Sequence, residues 1–118
     1  MKLLIAALVA ATQLATQSPD VDFLLTRSAA DFQANAPHPG DIRDLHSGIV
    51  ISPDHAPQPI ICGRFQPAGS TEWTDFSTIK TGGYEQALGF QATALCQRAT
   101  LDMTHDLSAD LKDRLHLK

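Results

Sequence analysis

The spacing of apolar positions changes character several times along this chain, and each change marks an element. Val21, Leu24, Leu25, Ser28 and Phe32 fall on one helical face, with Asp20, Arg27 and Asp31 elsewhere, so a helix is predicted from about Ser18 to Ala34. Ser18-Pro19-Asp20 is a fitting start: Ser can cap, Pro suits the first turn, and Asp20 and Asp22 suit the positive end of the dipole. His38-Pro39-Gly40 reads as a turn. Beyond it the period shortens to two: Leu45, Ser47, Ile49 and Ile51 share one face, and His46, Gly48 and Val50 the other. Ser52 to Pro57 reads as a loop too long for a tight hairpin. Ile60-Ile61-Cys62-Gly63-Arg64-Phe65 is the densest apolar run outside the N-terminus, and it predicts a central strand from about Pro59 to Gln66, buried on both faces. Gly63 within it predicts a bulge or the close approach of another element.

After the turn Pro67-Ala68-Gly69-Ser70, a third strand is predicted over Glu72–Lys80. No long helical pattern separates these strands, so an antiparallel meander is expected. Tyr84 to Phe90 reads either as a fourth strand or as the start of a helix that is clearer over Gln91–Arg98. A last helix is expected over Ala109–Leu117, capped by Ser108. The predicted class is α+β: an N-terminal helix, a three- or four-stranded antiparallel sheet, and C-terminal helices packed on one face.

Residues 1–17 carry the pattern of a signal peptide: Lys2, an unbroken apolar run from Leu3 to Ala11, then small and polar residues to Gln17. Cleavage after Ala11, Ala15 or Gln17 remains open. The apolar run is too short to span a bilayer. The expectation is a single small domain over 18–118, periplasmic or secreted. Removing Lys2 takes the basic residues from 9 to 8 against 13 acidic ones, a net charge of −5 with His neutral. An acidic domain without a basic run is a poor partner for nucleic acid or an anionic membrane. In an oxidising compartment the 2 cysteines, Cys62 and Cys96, are expected to form one disulfide from the central strand to the following helix.

A resemblance enters at His38-Pro39-Gly40-Asp41-Ile42-Arg43-Asp44-Leu45 and Cys62-Gly63-Arg64-Phe65-Gln66. This layout resembles one that recurs in small exported bacterial proteins without an established activity, in which a Cys-Gly-x-Val-Asn strand precedes an aromatic strand and a helix. Gln66 stands where Asn is usual, and Gly82-Gly83-Tyr84 falls after the third strand. The resemblance implies a fold and a compartment and no chemistry.

Candidate chemistry is sparse. His38, His46, His55, His105 and His116 lack the spacing of a metal site. His46 and His55 flank the loop that holds Asp54, and they read by default as solvated loop residues. No serine sits in a nucleophile elbow, no glycine pair continues into a phosphate loop, and no cofactor motif is present. Trp73, Phe76 and Tyr84 are the candidate partner surface. Trp73 and Phe76 are an odd number of residues apart, so they point to opposite faces. Either one is exposed, or a helix covers each face. The leading expectation is a non-catalytic binding or accessory module contacting another envelope protein. The alternative is a small envelope hydrolase or hydrolase inhibitor.

Overall fold

The central strand organises the fold. In the computed structural model, which describes residues 17–118, α1 is Pro19–Ala34, β1 Pro39–Ser52, β2 His55–Pro67, β3 Thr74–Lys80, β4 Tyr84–Leu88, α2 Phe90–Gln97, β5 Ala99–Leu101 and α3 Ser108–Arg114. The strands form one sheet in the order β4-β3-β2-β1-β5, antiparallel throughout. The α+β class and the meander are as expected, with β4 as the fourth strand and β5 as a fifth. The expected signal peptide falls almost wholly on residues 1–16, outside the described residues. Among the described residues no helix is long and apolar enough to cross a membrane.

β2 is buried on both faces, and its alternate residues build two separate cores. Ile61 and Phe65 join Leu24, Leu25, Ala29 and Phe32 of α1, Ile42, Leu45, Phe76 and Leu111 in the larger core. Three of its aromatic rings meet edge to face or tilted: Phe32 lies 5.1 Å from both Phe65 and Phe76. Ile60 and Cys62 join Val50 and Ile79 in a smaller core covered by Leu95, Cys96, Ala99 and Leu101. So α1 and α3 share one face of the sheet, and α2 lies on the other. Cys62 and Cys96 are joined by a disulfide that ties β2 to α2, with Cα atoms 6.0 Å apart.

Two glycines admit neighbouring backbone. A Cβ on Gly63 would lie 3.1 Å from Leu45 Cα and 3.1 Å from the Phe76 ring. The predicted bulge is present, but it lies in the facing strand. The pairing jumps from Arg43↔Arg64 to His46↔Cys62, so Asp44 and Leu45 together oppose Gly63. Asp44 takes φ 56°, a left-handed conformation that Asp tolerates better than most residues. The second glycine is Gly48, where a Cβ would fall 2.2 Å from the carbonyl oxygen of Thr100. Its missing side chain lets β5 lie against β1.

The bulge takes Leu45 out of the β1–β2 ladder, and the start of α3 satisfies it instead. Leu45 N–H donates to Ser108 Oγ at 3.1 Å, and Leu45 C=O accepts from Leu107 N–H at 2.7 Å. Ser108 is therefore a strand partner and does not cap α3. The N-cap position is Leu107, which offers no side-chain cap, and one residue earlier the Asp106 carboxylate accepts from Ser108 N–H at 2.8 Å.

One loop expectation is corrected. Ser52 pairs with His55, so Pro53-Asp54 is a two-residue turn and residues 55–57 are strand. Prolines at 57 and 59 hid the extension of β2. Ion pairs fix the outer elements. Arg114 donates to Asp110, Thr26 and Asp22, each at 2.8 Å, and so links α3 to α1. Lys112 reaches Asp41 at 3.0 Å, and Lys80 reaches Asp20 at 2.9 Å.

Candidate functional site

The three aromatic residues read as a partner surface do not form one. Phe76 is fully buried (0% exposed) among Phe32 and Phe65, so it belongs to the core and not to a surface. The reason is strand parity: Phe76 lies in the α1-facing row of β3. Tyr84 also faces α1, with its ring 6.4 Å from Phe23 and the Arg27 guanidinium 5.5 Å away. Burial, then the neighbouring Asp31 carboxylate, raises the Tyr84 hydroxyl above its ordinary pKa. Trp73 alone borders the opposite, α2-bearing face. Helices cover both faces, the second of the two arrangements that the odd spacing allowed.

That α2 face holds two adjoining depressions. The first, about 290 Å³, lies between Trp73 and Phe90 and shares Arg64, Asp75 and Thr93 with the second. The second, about 340 Å³, runs past the disulfide to His46, Leu101 and Met103. Exposed apolar side chains stand at both ends of this groove: Phe90, 93% exposed, and Met103, 67% exposed. Phe90 projects because Gly89, at φ 70°, turns the chain out of β4 to begin α2.

A row of linked polar side chains crosses the otherwise largely apolar groove. The Arg43 guanidinium lies 4.0 Å from the centre of the Trp73 ring, a cation–π stack. Arg43, Arg64 and Asp75 are successive cross-strand neighbours on β1, β2 and β3. Arg64 Nε sits 3.5 Å from Asp75 without a hydrogen bond, and the Thr93 hydroxyl donates to the other Asp75 oxygen. Asp75 thus anchors α2 to the sheet, and its backbone carbonyl accepts from Gly89 N–H at 2.8 Å.

His46 is a strand residue, as the alternating segment predicted, but it is only 8% exposed, where a solvated side chain was the default expectation. The bulge turns it towards Cys62 and the groove. Its Nδ1 lies 2.7 Å from the carbonyl oxygen of His105, which assigns the proton to Nδ1 and leaves Nε2 as the basic nitrogen. His55 sits at the hairpin turn, so the two histidines flanking Asp54 are not brought together. Nothing local in the sequence signals the tie between His46 and His105, because 59 residues separate them.

The chain matches no protein-family model, and no curated protein or solved structure shows significant similarity to it. Function therefore rests on geometry alone. The shifted carboxylates and the shifted arginine sit at joints that hold the fold. Lys112 lowers the Asp41 pKa through their hydrogen bond, and Thr104 lowers that of Asp102 in an exposed turn. Burial opposes ionisation of Asp106, but the Ser108 hydroxyl and backbone N–H outweigh it, so its pKa is lowered. Arg114 is likewise raised, against burial, by Asp110 and Asp22.

Proposed function

We propose that this chain is an exported, non-catalytic binding or accessory module of the cell envelope, and that it contacts a protein partner through the α2 face around Trp73 and Phe90. The observation that carries this reading is the side chain of Phe90, 93% exposed beside Trp73 at the mouth of the groove. A large aromatic ring held out on a fixed helix end loses little freedom on binding, and such rings dominate protein interfaces. Arg43 and Arg64 beside it supply the polar rim that such an interface needs. The disulfide supports export, because such bonds persist in oxidising compartments.

The test is capture of the partner from native periplasmic extract by wild-type protein and by Trp73→Ala and Phe90→Asp variants. Both substitutions should reduce recovery at least tenfold, the effect of losing an aromatic anchor. Equal recovery by all three proteins would remove the surface from consideration.

A second reading, a small envelope hydrolase or hydrolase inhibitor, draws on His46, whose fixed tautomer presents a basic nitrogen at the groove. It is weakened by the neighbours. Both cysteines are bridged, and the Thr93 hydroxyl is committed to Asp75. Hydrolysis of generic ester substrates that is abolished in His46→Ala would favour it.

A further inference from the structure

The two edges of the sheet are finished differently. Along β1, the outer backbone is covered by β5 at Gly48 to Val50, by Asp102 N–H at Ser47 and by Leu107 and Ser108 at Leu45. Along β4, among the described residues, nothing pairs with the outer edge. β4 is short and carries one charge, Glu85, but it lacks the other guards against strand addition. It contains no proline and no lysine, and its pairing with β3 runs without a bulge.

The register identifies which groups are free. Gly89 N–H donates to Asp75 C=O, and Thr81 N–H donates to Gly83 C=O. These bonds place the odd-numbered residues of β4 in the hydrogen-bonded pairs with β3. The N–H and C=O groups of Tyr84, Gln86 and Leu88 therefore point outward, and none has a protein partner among the described residues.

We propose that a second copy of this chain occupies this edge, its β4 antiparallel to the first and in register about Gln86, so that two five-stranded sheets become one. In this register Tyr84 stands opposite Leu88 of the second copy, and Gln86 stands opposite Gln86. Every outward group then meets a partner, about six hydrogen bonds in all. The side chains agree with the backbone. Tyr84 and Leu88 form an aromatic–aliphatic pair at each end. Glu85, the one charged residue of β4, faces Ala87 of the second copy, so like charges do not meet. A recess of about 360 Å³ lies beside this edge between β4 and the end of α1, where Asp31, Asn35 and Gln86 line it together with Phe32, Tyr84 and Leu88. The symmetry keeps both copies' Leu88 side chains on the α1 side, each opposite the other copy's Tyr84 and beside the recess. This surface is separate from the α2 face, and the pairing stands or falls independently of the binding reading.

Sedimentation equilibrium of the oxidised chain between about 1 and 200 µM, a range suited to a modest interface, tests the pairing. The expected result is a concentration-dependent doubling of mass. Ala87→Glu places two glutamates opposite each other at both ends and should weaken the dimer roughly tenfold; Ala87→Lys places lysine opposite Glu85 and should strengthen it by a similar factor. Gln86→Cys should cross-link the two copies under oxidation, because hydrogen-bonded antiparallel pairs hold their Cα atoms about 5.5 Å apart. Glu85→Cys, out of register with its twin, should not. A monomer at every concentration would overturn the proposal. So would a dimer insensitive to charge at position 87, or cross-linking that is equal at positions 85 and 86.

Discussion

Replacing both cysteines with alanine tests the joint between β2 and α2. The bridge closes a loop of 34 residues. On the chain-entropy model, a loop of that length restrains the unfolded chain by about 4 kcal/mol. The small core adds to this, because the sulfurs pack with Val50, Ile60 and Ile79, and alanine removes their volume. A domain of this size has a total margin of roughly 5–10 kcal/mol, so about half of it is at stake. The assay is urea unfolding, read by the fluorescence of the single tryptophan, Trp73, and by far-ultraviolet circular dichroism. With a slope of about 1.5 kcal/mol/M, the midpoint of Cys62→Ala/Cys96→Ala should fall by roughly 2.5 M. Both probes should report the loss. A fall of less than roughly 0.5 M would refute the reasoning, because it would mean that the loop is restrained without the sulfurs.

Three further outcomes follow from single contacts. Ser108→Ala leaves Leu45 N–H without its acceptor and should destabilise the fold by about 1–3 kcal/mol, measurable by the same unfolding assay; serine-like stability in the variant would show that the bulge is satisfied elsewhere. Gly48→Ala drives a Cβ into the Thr100 carbonyl, so it should detach β5, with amide exchange rising at Ala99–Leu101 before anywhere in β2. Asp41 has a folded pKa below 3.8, so its pairing with Lys112 stabilises fully above that pH, and the stabilisation is lost as pH falls through the folded value. Wild type should therefore exceed Lys112→Met in stability at neutral pH, and the two should converge in acid; a gap that persists in strong acid would exclude this linkage.

What the sequence revealed and what it hid divide by range. The α1 stripe from Val21 to Phe32 was legible because it repeats within one helix, and its members Leu24, Leu25 and Phe32 help build the larger core, with Ser28 buried beside them. β2 was legible because an apolar run between prolines needs cover on both sides. The disulfide followed from the cysteine count and the expected compartment. β5 left no trace, since three residues have no period, and its place depends on an absent side chain at Gly48, 51 positions before Ala99. The bulge was signalled only indirectly, by Gly63 in the opposite strand. At the candidate site, Trp73 was read from its aromatic character, whereas Phe90 was missed. Its exposure depends on where α2 begins, and Tyr84–Phe90 suited strand or helix equally. His46 was named as a histidine beside a loop, but its burial was not legible, because its partner is a distant backbone carbonyl, which no side-chain pattern encodes.

The sheet is also a partition. The two sets of buried side chains it separates have no member in common. A volume change beneath α1, such as a larger residue at Ala29, need not be answered beneath α2, because a pleated layer of paired backbone stands between them. Each side can then change on its own: a substitution on the face carrying Phe90 leaves the three phenylalanines behind the strands, and the architecture they hold, undisturbed.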